Sequence, residues 1–430
     1  MKWNQAHFKK RGTLFLAILI LLGTTYFTAK EIFNRVFLLS VTQEILDDIV
    51  SVKIESIGGI KATLGGKVTL DETEAFTYRD GERKLFYKAE SVILTLNAFP
   101  GSTKNIKLIR VDLEKPEIFL TRDMNGVWNA TWAFQPRTES NKVAPKEEHE
   151  LQNTEETENR MPPKESFPKE GINIHQGKIN IEVFTKTGAS TTWVIDHVYA
   201  TLSKHDATLS LSPFTGKFYG GDFKAKKAQF TPGENLDSNL QISITGAEVE
   251  KLCDRLNLDN KPKGTLDAVF AITKSKERTE SHTVGAGQIE IRDADLWDLP
   301  LFMQILSFLA LDPISERRIE EANLLFTIEK DRFRVDQMDF LGHPVSLFGE
   351  GEMDLVGENL EVVFIPRLGK KGLDDMLPII GTPIQWLLDI VKGAFIPLVL
   401  NGTFHKPEIS VKPGYNIAAP IRNLIQSKSK

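Results

Sequence analysis

The chain has a single cysteine, Cys253, in 430 residues. One thiol can build neither an intrachain disulfide framework nor a Cys-rich zinc site. An excess of either charge is also missing: 53 Lys and Arg stand against 58 Asp and Glu, a net charge of −5, so nothing points to nucleic acid as a partner. Histidine is sparse, and its eight copies, His7, His149, His175, His197, His205, His282, His343 and His405, are scattered along the chain. No H-E-x-x-H, G-x-S-x-G, P-loop or G-x-G-x-x-G motif occurs. Asp196-His197 and His205-Asp206 are neighbours, but adjacent residues of a strand point to opposite faces and make no acid/base dyad. Gly285-x-Gly287 and Gly349-x-Gly351 lie inside strand-like patterns, where glycine marks a bulge or a close backbone approach. The chain is therefore read as a non-enzyme, with no catalytic residue, metal ligand or cofactor assigned. The sequons Asn129-Ala130-Thr131 and Asn401-Gly402-Thr403 are too common by chance to carry an argument.

Long apolar runs are scarce too, and the exception stands at the N-terminus. Lys9, Lys10 and Arg11 precede an uncharged run from Thr13 to Ala29, seventeen residues that reach about 25 Å as a helix, the short limit for a membrane span. Cleavage after Ala29 would leave Phe27 at −3, where a signal peptidase site needs a small residue, so a retained anchor fits better than a signal peptide. The basic flank keeps the N-terminus cytoplasmic and sends the remainder across the membrane.

Beyond the anchor the apolar period first stays near 3.6, then changes to 2 at Val52. The layout expected is a cytoplasmic N-terminus over 1–12, a transmembrane anchor over 13–29, a juxtamembrane helix over 30–50 and an N-terminal β region over 51–135. The stretch 136–170 has five prolines and many Glu and Lys, a composition that buries too little apolar surface to order itself, and reads as a disordered insertion. A β region over 171–371 follows, with helices near 246–257 and 299–311, then an amphipathic helix over 372–396, and terminal strands with a tail over 397–430. Strand follows strand with little room for crossover helices, so the sheet should be mostly antiparallel.

Alternation sorts the strand residues. Val92, Leu94 and Leu96 share one face, as do Leu324, Phe326 and Ile328, and again Leu360, Val362 and Phe364. Two readings fit: the core of a closed sandwich, or an apolar groove that takes up lipid. In 372–396, Met376, Ile380, Ile384, Leu388 and Val391 make an apolar stripe opposite Asp374, Gln385, Asp389 and Lys392, with Pro378 and Pro383 bending or splitting the helix. That stripe either plugs the end of the sheet, meets a membrane or partner, or is ordinary core.

Four stretches resemble the AsmA family, whose members include TamB-like proteins of the bacterial inner membrane. They are the anchor with IESIGGIKATLGGKVTLDETEAF; EKPEIFLTRDMNGVWN (Glu114 to Asn129); GAGQIEIRDADLWDLPLFMQIL (Gly285 to Leu306); and PVSLFGEGEMDLVGENLEVVF with IPLVLNGTFHKPEI. The resemblance implies a mainly β fold, a long curled antiparallel sheet or β-groove, with a few amphipathic helices and an N-terminal transmembrane helix. It implies a single-pass inner-membrane protein, bulk in the periplasm, that moves phospholipid towards the outer membrane or maintains that membrane, the nine alternating residues above being lipid-binding. Its implied partners are phospholipid, the inner membrane and, for a short member, an outer-membrane or periplasmic protein. A non-enzymatic scaffold that assists outer-membrane protein assembly is the alternative.

Overall fold

The computed structural model describes most residues from Val52 to Val411. Outside the description lie 1–51, 98–106, 134–166, 256–261, 297–317 apart from 302 and 305, 369–396, 412–430 and short gaps at turns. Nineteen strands form one sheet. β1 (Val52–Ser56) and β2 (Gly59–Ala62) lie end to end along β3 (Lys67–Arg79), which pairs with β4 (Glu82–Leu96). β5 (Leu108–Glu114) and β6 (Glu117–Arg122) similarly act as one broken strand between β4 and β7 (Ile172–Phe184). From β7 each strand pairs antiparallel with the next: β8 (Ser190–His205), β9 (Thr208–Phe218), β10 (Gly221–Thr231), β11 (Asp237–Glu248), β12 (Thr265–Glu277) and β13 (Glu280–Ala294). β14 (Arg318–Glu329), β15 (Arg332–His343), β16 (Val345–Asp354), β17 (Leu360–Leu368), β18 (Leu398–Thr403) and β19 (Lys406–Val411) complete it. Counting each broken pair as one leaves seventeen ribbons.

The expectation of a mainly antiparallel β fold holds, with one exception. β5 and β6 run parallel to β7. A parallel neighbour demands a crossover of a dozen or more residues, and the charged insertion expected over 136–170 falls within that crossover. Most of it lies outside the description, but its last residues are anchored: the Glu170 amide donates to the Ile109 carbonyl, and Pro168 is buried.

Bulges keep the long strands in phase. Ala225 and Ala228 are both buried although three residues apart, because an extra residue enters β10 between Ala225 and Lys227. Val335 and Met338 are reconciled the same way in β15. Glu72, Lys115, Gln176 and His197 all carry positive φ in the middle of β3, β5/β6, β7 and β8, near one another across the sheet. The Lys115 amide donates to the His175 carbonyl and the Lys115 ammonium pairs with Glu90 at 2.7 Å, so the irregularities form a connected line.

Helices are few among the described residues. α1 (Asn129–Ala133) was not expected; α2 (Val249–Arg255) falls inside the expected 246–257 and buries Val249 and Cys253. Of the helix expected over 299–311, Phe302 and Ile305 are described, both helical and buried. The anchor over 13–29, the helix over 30–50 and that over 372–396 lie outside the described residues. Among the described residues no helix is long and apolar enough to cross a membrane.

The turn after β6 shows local chemistry fixing an edge. Asp123 Oδ1 accepts from the amides of Asn125 and Val127, and Gly126, at φ +81°, closes the turn. Asn129, 1 % exposed, then lies against β6: its Nδ2 donates to the Phe119 carbonyl at 2.7 Å and its Oδ1 accepts from the Thr121 amide at 2.9 Å. The sequon asparagine is thus a structural residue. Asn129→Ala leaves two backbone groups unpaired and should cost about 2–4 kcal/mol; Asn129→Asp, which loses the donor, should also destabilise, both read as a lowered urea midpoint.

Candidate functional site

Residues directly opposite on paired strands share a face, so the register traces one line across the whole sheet. It begins Ile60, Leu70, Val92, Leu113, Ile174 and Ala200. It continues through Phe214, Ala225, Ile242, Phe270, Gly287 and Phe326. It ends with Val335, Gly351, Val362, Leu400 and Ile409. Every ribbon contributes an apolar residue or glycine. Each of the three triplets picked out by alternation places one member, Val92, Phe326 or Val362, on this line. The flanking members, Leu94, Leu96, Leu324, Ile328, Leu360 and Phe364, extend the same front face along their strands. Rows on either side repeat the chemistry: Leu94 opposes Val68 and Val111, while Leu324 opposes Ile289 and Met338. The apolar band is about 13 Å wide across three rows and about 75 Å long across the ribbons, at about 4.8 Å per strand.

Exposure along the band is uneven. Val92, Leu94 and Leu96 are buried at 4 % exposure or less, and Leu360, Val362 and Phe364 at 6 % or less. Between these ends, Leu240, Ile242, Phe270, Ile272, Ile289 and Leu324 on β11 to β14 are only half-buried. The accessible stretch therefore consists mainly of residues that alternation alone did not single out, since period 2 assigns a face without saying what covers it. Near the C-terminal end part of the cover is visible: Phe302 meets Phe340 edge-on at 4.9 Å, and Phe340 neighbours Phe364.

The two G-x-G pairs belong to this face. A Cβ on Gly287 would lie 2.5 Å from Phe326 Cζ and 2.6 Å from Phe270 Cβ. The missing side chain lets the Phe326 ring lie across the strand, stacked on Phe333 at 4.6 Å. Gly349 is covered in the same manner by Phe364 and Met338. These glycines fit close side-chain approach and not a phosphate loop.

The His–Asp neighbours stand away from the band, whereas Cys253 joins its buried cluster. His205 and Asp206 are almost fully exposed in the β8–β9 turn, and His197 is exposed at its bulge. Burial, with Asp254 beside it, raises the Cys253 thiol above its ordinary pKa, which disfavours the nucleophilic thiolate. Among the described residues no three His, Cys, Asp or Glu gather as a metal site.

Charge is concentrated on the back face. Asp112 accepts from Arg110 and from Asn173, whose Oδ1 in turn accepts from the Thr201 hydroxyl. On β6, Glu117 accepts from Asn180 and pairs with Lys88 at 3.4 Å and Lys178 at 3.7 Å. Burial pushes the Glu117 carboxyl up, but Asn180, Lys88 and Lys178 together hold it below the ordinary carboxylate range.

Comparison with models of known families, with curated proteins and with solved structures finds no match.

Two measurements follow. Gly287→Val should force Phe326 out of its place at a cost of about 1–3 kcal/mol, and adding Phe326→Ala should recover part of that loss, a double-mutant coupling readable by thermal unfolding. A depressed Glu117 stabilises the fold above its unfolded pKa of about 4.3, and that contribution disappears as pH falls through the folded value. Glu117→Gln should therefore flatten the acid limb of stability against pH while the neutral-pH curve keeps its shape.

Proposed function

We propose that the chain is an AsmA-like, inner-membrane-anchored periplasmic protein whose front face holds the acyl chains of phospholipid and passes them towards the outer membrane. The observation that carries this is the unbroken apolar line through seventeen ribbons, half-buried at Ile242, Phe270 and Gly287 on β11 to β13. All nineteen described strands belong to one sheet, so no second described sheet closes over that line. Open sheets beyond about ten strands curl or split, and the recurring bulges bend the strands further. A curled sheet turns the band into a trough, in which each methylene leaving water contributes about 0.8 kcal/mol. The trough has no headgroup specificity of its own, which suits a carrier of bulk phospholipid.

Full-length protein purified in mild detergent should yield phospholipid on solvent extraction and mass spectrometry. Phe270→Asp with Ile289→Asp should lower the recovered lipid about tenfold or more, a loss of about 1.4 kcal/mol or more, with the unfolding temperature little changed because both sites are half-exposed. Gln288→Asp, on the back of the same strand, should leave the yield intact. Wild-type protein without lipid would instead favour the scaffold reading.

A further inference from the structure

Along β11 to β13 the two ends of the front face differ. At the end where α2 follows β11 the face is closed: Ala247, Val249, Cys253 and Ala294 are 4 % exposed or less, and Phe302 and Ile305 join the same cluster. The row at that end is wholly apolar, with Ala247 opposite Leu266, Leu266 opposite Ile291 and Ile291 opposite Ala322. Towards the other end the cover stops. Leu240, Ile242, Phe270, Ile272 and Ile289 are only half-buried.

Beyond Leu240 and Ile272 the chemistry of the front face changes in one step of about 7 Å. Ser238 stands opposite Lys274, and Lys274 opposite Thr283. No register shift separates this row from the apolar row of Leu240, Ile272 and Gly285, so both point to the front. Pairing continues the polar row through Phe230 and Leu209 to Lys204. On its other side Lys330, exposed in the β14–β15 turn, donates its amide to the Thr283 carbonyl. Among the described side chains the row thus holds Lys204, Lys274 and Lys330 and no carboxylate. Asp206 lies past it, beside His205 in the β8–β9 turn, and Glu329 is on the back, opposite Val284.

We propose that Ser238, Lys274 and Thr283, with Lys330 beside them, hold the phosphate of a bound phospholipid, so that its acyl chains run from there past Ile272 and Phe270 towards the closed end. This rests on the reading of the front face as an acyl-chain trough. A lysine ammonium brings three donors and each hydroxyl one, and such charge-assisted bonds to phosphate are stronger than neutral ones. The closed end offers a phosphate no cation, only Ala247, Leu266, Ile291 and Ala322. From Lys274 to Leu266 is about 26 Å along β12, so the trough takes the ligand in one orientation. Because the phosphate is shared by phospholipids, the row orients the ligand without selecting among headgroups.

Two probes with the same pyrene-labelled acyl chains, a phosphatidylglycerol and a diacylglycerol that lacks phosphate, test it on the full-length protein in mild detergent. Wild-type protein should bind the phosphatidylglycerol about tenfold more tightly. Lys274→Gln with Lys330→Gln should abolish that preference and leave both the diacylglycerol affinity and the urea midpoint unchanged. Lys224→Gln, on the back of β10 opposite Ser243, should keep the preference intact. A preference that survives the double variant, or that Lys224→Gln removes equally, overturns the proposal. Inorganic phosphate at millimolar concentration should not displace the phosphatidylglycerol; displacement would assign the row to free phosphate instead. If the double variant does not fold, added salt must shrink the preference of the wild-type protein while diacylglycerol binding holds, and an unchanged preference counts against the row. Failure of both probes to bind wild-type protein would overturn the trough reading itself, and this inference with it.

Discussion

Cross-strand register is the constraint on which everything else depends. A strand shifted by one residue turns every side chain to the other face, so one slip among seventeen ribbons would break the apolar line and place charge in it. The line survives because each local insertion is absorbed by a bulge. Asp336 is the extra residue that lets Val335 and Met338 face the same way, and Gln176 does the same between Ile174 and Gly177. Those bulges also bend the strands that carry them.

The same constraint explains the separation of chemistry between the faces. The front is apolar or glycine from Ile60 to Ile409, and its width is adjusted by glycines over which neighbouring rings lie. The back carries the ion pairs and amide ladders, such as Lys88, Lys178 and Asn180 around Glu117. It turns apolar at Phe348, Val363, Ile365 and Val399, where the sheet is buried on both sides. Between the buried ends the front is only half-buried at Leu240, Ile242, Phe270, Ile272, Ile289 and Leu324.

Much of this was legible in the sequence wherever period 2 ran undisturbed. Val92, Leu94 and Leu96, and the triplets around Phe326 and Val362, lie on one face as their spacing required. The β character of the chain from Val52, the helix at Val249–Arg255, and the helical Phe302 and Ile305 also followed from pattern, whereas Lys67–Arg79 and Glu82–Leu96 are longer strands than their alternation marks. What pattern could not supply was non-local. The parallel step at β7 depends on which ribbon Ile172–Phe184 finds, and only the long charged stretch before it hinted at a crossover. The bulges interrupt the very period used to find strands. Asn129, dismissed as part of a chance sequon, holds the edge of β6 through its side chain, a role set by the turn before it.

A direct measurement separates a lipid-holding front face from a merely greasy surface. Val269 and Leu325 are apolar and exposed, at 62 % and 37 %, on the back of the very strands whose front offers Phe270 and Leu324. A phospholipid carrying a photoreactive group in its acyl chain, added to the full-length protein and mapped by peptide mass spectrometry, should label Ile242, Phe270, Ile289 and Leu324 and spare Val269 and Leu325. Equal labelling of both faces, or labelling of Val269 and Leu325 alone, would contradict the account.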